Sequence, residues 1–211
     1  DILLTPITGG VDSGTINSNA NEGGVSSGNS VGTNESMRVD FVIDVTGAPN
    51  NGADYAVLAN QNHAFTSHYL ANGANALFTA IGPGKTTKVI MTARDDTDAD
   101  NDVGDGTLDT INKVSITHGA VTTLVTANGT YVVDGVSYTV TFSGGLATVS
   151  GVTDDTRLGA FTATGYSSIE FAHDTNPDNT ATNQPFKIGD FGATTITNTP
   201  VNFTVPISIK D

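Results

Sequence analysis

From Met37 onward, apolar and polar residues alternate with a period of two. In Met37-Arg-Val-Asp-Phe-Val-Ile-Asp-Val45 every second residue is apolar, the pattern of a strand with one face in a core. Short strands are likewise predicted over 55–58, 77–81, 88–93, 111–116, 121–125, 130–133, 136–142, 147–149, 158–163, 168–171, 186–191 and 201–209. Turn residues punctuate them: Asn72-Gly73, Gly82-Pro-Gly-Lys85, Asn128-Gly129, Asp134-Gly135 and Gly144-Gly145. The last three pairs read as two-residue hairpin turns, which require φ > 0. Short strands at spacings of roughly 8–12 residues predict an all-β fold, an antiparallel β-sandwich with long loops, rather than a parallel sheet with crossover helices. No repeat of fixed period is visible.

Residues 1–36 lack this alternation. The stretch 9–36 is rich in Gly, Ser and Asn, so 1–36 is expected to be an irregular N-terminal segment of the domain, with the sandwich and its ligand site in 37–211. The final strand pattern runs to the last residue, as though the chain were a segment of a longer protein.

Composition sharpens the picture. Of 211 residues only 8 are Lys or Arg, against nineteen Asp and three Glu, giving a net charge of −14. Nucleic acid and anionic membrane surfaces both need a basic footprint, so neither is an expected partner. Crowded carboxylates repel one another unless cations neutralise them, and divalent calcium is the natural partner. Such calcium is abundant outside cells, which points to an extracellular, cell-surface location. The absence of Cys removes disulfides, thiolate metal sites and a Cys nucleophile. No apolar run approaches the roughly 20 residues that span a bilayer as a helix.

The densest chemistry lies in Asp95-Asp-Thr-Asp-Ala-Asp-Asn-Asp-Val-Gly-Asp-Gly-Thr-Leu-Asp109, where seven Asp fall with no Lys or Arg after Arg94. Calcium takes six to eight oxygens at about 2.3–2.6 Å, and alternating carboxylates can supply them. Asp95, Asp96, Asp98, Asp100, Asp102, Gly104, Asp105 and Asp109 are the candidate ligands, and Asp100, Asn101, Asp102 and Asp105 the candidate contacts for a partner. A helix-loop-helix calcium hand starting at Asp98 fails twice: position 6 is Val103 where Gly is needed, and position 12 is Asp109 where Glu is usual. The flanks also read as strands, so the metal should bridge loops or strands. The bland alternative is a solvated acidic loop. A second candidate set, Asp174, Asn176 and Asp178, follows His173; ordinary turn chemistry explains it equally well.

Catalytic patterns are absent. The four His residues lack the spacing of a two-His zinc helix, and no nucleophile elbow or phosphate-cradling loop occurs. Glu is scarce for a glycosidase pair. A binding module, not an enzyme, is expected.

Ser36-Met-Arg-Val-Asp-Phe-Val42, His68-Tyr-Leu-Ala-Asn-Gly73, the Asp-rich loop, Phe186-Lys-Ile-Gly-Asp190 and the stretch 201–211 together resemble modules of giant type I-secreted RTX adhesins of Gram-negative bacteria. The likeness covers about residues 36–211, and the hallmark Gly-Gly-x-Gly-x-Asp repeat is absent. The resemblance implies a calcium-bound sandwich that attaches a cell to a surface: a monomeric module within a longer chain, holding a peptide or glycan of a host or neighbouring cell. With 7% aromatics and no Trp there is no stacking platform for a sugar ring, which favours a short peptide or protein end beside the calcium. A carbohydrate-binding module and a calcium-rigidified spacer without ligand are the competing expectations.

Overall fold

The computed structural model describes residues 1–19, 21–47, 58–60, 62–96, 100, 102–178 and 180–194. Asp98, Asn101, the predicted strand over 201–209 and all but Leu58 of the one over 55–58 lie outside them, and Leu58 begins a 3-10 turn, Leu58–Asn60, instead of a strand. The N-terminal strands are β1 (Ile2–Thr8), β2 (Val11–Asp12), β3 (Ile16–Ser18), β4 (Glu22–Val25), β5 (Glu35–Ile43), β6 (Thr46–Gly47), β7 (His63–Ala64), β8 (Ser67–His68), β9 (Ala71–Thr79) and β10 (Thr87–Asp95). Then follow β11 (Thr107–Asp109), β12 (Lys113–His118), β13 (Val121–Val125), β14 (Gly129–Val133), β15 (Val136–Ser143), β16 (Leu146–Val152), β17 (Thr156–Tyr166), β18 (Ser168–His173) and β19 (Lys187–Thr194).

The protein is all-β with antiparallel sheets. One sheet has the order β14-β15-β16-β10-β18-β5-β1-β2, with β11 on β10 and β8 on β5; the other runs β13-β12-β17-β9-β19-β4-β3. Inward residues of both enter one core. Met37, Val39, Phe41, Met91, Val140, Val149 and Phe171 come from the first sheet, and Phe78, Val114, Ile116, Leu158 and Ile188 from the second. Phe78 on β9 meets Phe171 on β18 edge-on at 5.6 Å, an aromatic contact worth about 0.5–1.5 kcal/mol beyond its buried area. Tyr166 ties β17 internally: its buried hydroxyl donates to the Ala160 carbonyl and accepts the Ala74 N–H, both at 2.7 Å.

Alternation succeeds where one strand face is wet, as in β15, whose Tyr138 and Val140 are buried while Ser137, Thr139 and Thr141 are exposed. The Asp134-Gly135 and Gly144-Gly145 pairs have φ of 48°, 79°, 60° and 87° and close the β14–β15 and β15–β16 hairpins as expected. Three expectations are corrected. Residues 1–36 are not irregular: β1 pairs along its whole length with β5, and β2, β3 and β4 extend the two sheets. Asn128-Gly129 closes no hairpin, because β13 and β14 belong to different sheets and the link crosses between them. Asn72-Gly73 lies inside β9, where Gly73 makes room for an aromatic ring; a Cβ there would fall 2.2 Å from Phe161 Cε1.

Strand β5 is buried on both faces up to Val42. Its outer face carries Arg38 and Asp40, and a second small core of Val42, Phe65 and Val103 packs nearby. Arg38 donates through Nε to Asp40 Oδ2 at 3.0 Å and through Nη1 to Asp12 Oδ2 at 2.7 Å. Burial pushes the Asp40 carboxyl above its ordinary value, and Arg38 pulls against that shift.

Candidate metal centre

The Asp-rich segment connects β10 to β11, which pair at Ala93↔Asp109, Arg94↔Leu108 and Asp95↔Thr107. Its flanks are therefore strands, and the loop is the tip of a hairpin at the end of the first sheet. Two features pin the tip. Val103, which sits where a calcium hand needs Gly, is only 2% exposed and packs against Val42 and Phe65. Gly104 follows with φ of 97°, and its Cα lies so close to the Arg38 guanidinium that a Cβ would meet Nη1 at 2.5 Å. The turn thus comes one residue later than the helical hand requires, and only Gly fits against Arg38 there. Arg94 Nη1 donates to the Gly106 carbonyl at 2.9 Å and holds the return limb.

This folding brings Asp96, Asp100 and Asp105 together, with one carboxylate oxygen of each within 4.8 Å of the others. Asp96 is anchored: its N–H donates to Ser167 Oγ at 2.8 Å, its side chain is 6% exposed, and its Oδ2 lies 3.7 Å from His68 Nδ1. Asp100 and Asp105 are exposed. Asp100 Oδ1 accepts the Asp102 N–H at 3.1 Å, a local turn bond that orients the carboxylate. Three acidic oxygens so placed can serve as hard ligands to an oxygen-seeking cation, with backbone carbonyls and solvent filling the remaining positions.

The other first-site candidates stand behind the tip. Asp95 closes β10, and burial followed by the nearby Asp109 carboxylate raises its carboxyl above the ordinary value. Asp109 on β11 accepts from Thr164 Oγ1 at 3.2 Å.

The second candidate set is assembled differently. Asp174 Oδ2 takes an ion pair from Lys88 Nζ at 2.8 Å and a hydrogen bond from Asn176 Nδ2 at 2.7 Å. The carbonyl of Asn176 accepts from Thr33 Oγ1 at 3.0 Å and from Asn183 Nδ2 at 2.9 Å. Asp178 Oδ2 accepts the Thr33 N–H at 3.2 Å, and its Oδ1 lies 3.3 Å from His173 Nε2. Burial raises Asp174, but the Lys88 hydrogen bond and charge, together with hydrogen bonds from the Thr175 backbone and Asn176, outweigh it, so its carboxyl sits below the ordinary value.

Sequence reasoning missed His68, Ser167 and Arg38 as neighbours of the acidic loop. Each is remote in the chain, and the pairing of β18 with β10, of β5 with β18 and of β8 with β5 draws them in. Comparison with protein-family models, with curated proteins and with solved structures finds no match.

Proposed function

We propose that the protein is a calcium-binding β-sandwich module of an extracellular bacterial adhesin, and that it captures a short peptide or protein end beside the ion. The convergence of Asp96, Asp100 and Asp105 within 4.8 Å carries this reading. The net charge of −14 makes a neutralising cation favourable on folding. The hairpin tip is braced from below by Val103, Gly104 and Arg38 but open above at Asp100 and Asp105. A calcium ion there keeps coordination positions for a ligand oxygen, and a peptide C-terminal carboxylate is a suitable donor. The likeness to RTX adhesin modules supports the setting, namely secretion, surface display and attachment as one module of a longer chain.

The decisive test is an array of peptides with free C-terminal carboxylates, probed with and without calcium. Calcium-dependent capture that disappears in Asp100→Asn/Asp105→Asn supports the reading. A protein that calcium stabilises but that captures no peptide is the rigid spacer instead.

A further inference from the structure

The two sheets end differently at their two sides. On one side the closing strands are β2, of 2 residues, and β3, of 3; such shortness blunts a sheet edge against pairing with another chain. On the other side the closing strands are β14 in the first sheet and β13 in the second, each of 5 residues. Neither carries a Pro, a charged side chain or a register shift, and residues 119–133 as a whole hold no Asp, Glu, Lys or Arg in a chain with a net charge of −14. Val121, Leu124 and Val132 are exposed here, Val132 most of all at 68%.

Register shows which backbone groups this side offers. Residues flanking a two-residue hairpin turn exchange both hydrogen bonds, and the pairs beyond them alternate between bonded and non-bonded. Val133 and Val136 flank the Asp134-Gly135 turn, so Val132↔Ser137 and Thr130↔Thr139 are non-bonded pairs. The N–H and C=O of Thr130 and Val132 therefore point away from β15, and among the described residues no strand meets them. The Gly119-Ala120 turn between β12 and β13 leaves those of Thr122 and Leu124 pointing outward in the same way. Each edge thus offers a Thr and an aliphatic residue, two apart, with free strand-pairing groups.

Charge and geometry both select the partner. Two copies of a chain with 22 acidic and 8 basic residues repel one another on most approaches, but not across this uncharged side. Asp134 and His118, 3.6 Å apart, stand together at the turn end of it; antiparallel pairing with a second copy sets them beside the uncharged link 126–128. Thr123 and Tyr131 are the middle residues of their strands and stand equally far from that link, so one twofold axis can pass both edges. We propose that β13 and β14 form an interface with a second copy of this chain, extending both sheets across a twofold axis, in place of the monomeric module that the resemblance implies. Tyr131 then faces Tyr131 of the partner subunit, and Thr130 exchanges hydrogen bonds with Val132 of the partner subunit. Such a contact uses the same surface on both copies and closes at two. The acidic hairpin springs from β10, three strands in from β14, so the pairing is independent of calcium.

Sedimentation equilibrium in EDTA tests this. The average mass should rise with concentration to twice the monomer mass and no further, and should do so at lower concentration in high salt, which screens the repulsion between acidic copies. Thr130→Pro removes an outward N–H that β15 does not use, and Val132→Asp places like charges at the contact from an exposed position. Each should stay monomeric with an unchanged circular dichroism spectrum. Val11→Asp, which adds the same charge to β2 on the opposite side, should dimerise as the wild type does. Amide exchange should slow with concentration at Thr122, Leu124, Thr130 and Val132, and not at Tyr131, whose N–H is already bonded to β15. A wild type that stays monomeric at low and high salt overturns the proposal. So does growth beyond two copies, a dimer that survives either edge variant, or one that is lost in Val11→Asp.

Discussion

Two loops of this protein carry the same local signal, acidic or amide side chains at every second residue, and the fold treats them in opposite ways. In the 174–178 loop each carboxylate is answered from another element: Lys88 for Asp174 and the Thr33 N–H for Asp178. In the β10–β11 hairpin, three carboxylates are gathered close together, with the Arg38 guanidinium below already engaged by Asp12 and Asp40. Spacing creates the opportunity in both loops. What the neighbouring strands place opposite decides whether the charges are spent on structure or gathered at one point.

The largest expected effect separates the support of the hairpin from its tip. Arg38→Met leaves the buried Asp40 without its partner, and removing one member of a buried pair typically costs about 3–5 kcal/mol. Calorimetric unfolding should show this loss with calcium and without it. Calcium itself comes next. A ligand binding only the folded state at about 100 times its Kd adds about 2.7 kcal/mol, so the melting temperature should rise on replacing EGTA by calcium, and the rise should vanish in Asp100→Asn/Asp105→Asn. Asp174→Asn sharpens the contrast from the other side. It breaks the Lys88 pair in a partly exposed setting and should cost about 1 kcal/mol, equally in calcium and in EGTA, as urea titrations would show.

The smallest effect is a pH dependence away from both loops. Hydrogen bonds from Thr79 and Lys187 hold the Glu22 carboxyl below its ordinary value. A lowered folded-state value means that Glu22 contributes stability above its ordinary titration range and loses it as pH falls through that range and below. Glu22→Gln should therefore shift stability near neutral pH by less than about 1 kcal/mol, and flatten slightly the acid limb of a melting-temperature profile.

Much of the sheet architecture was legible because a wet strand face writes period-two alternation, as at β15, and because Asp134-Gly135 and Gly144-Gly145 are chemically suited to φ > 0. Legibility ended where a residue's meaning depends on a distant partner. Asn128-Gly129 looks like the other pairs, but nothing local says that the next strand joins the opposite sheet. Gly73 reads as a turn and is instead the space left for Phe161. The Gly- and Ser-rich stretch hid β2 to β4, whose pairing is set from outside.

The candidate centre followed the same rule. The oxygen chemistry of Asp96, Asp100 and Asp105 is plain in the sequence, but their convergence is not. Val103 looked like a defect in a calcium hand. In the fold it is the apolar anchor that tucks the tip against Val42 and Phe65, leaving Gly104 to make the turn against Arg38.

Isothermal titration of the chain with calcium tests the central claim most directly. Wild type should bind calcium with measurable heat, Asp174→Asn should bind with the same affinity, and Asp100→Asn/Asp105→Asn should show no binding. Unchanged titration of the Asp100/Asp105 variant, or a wild type that takes up no calcium, would contradict it.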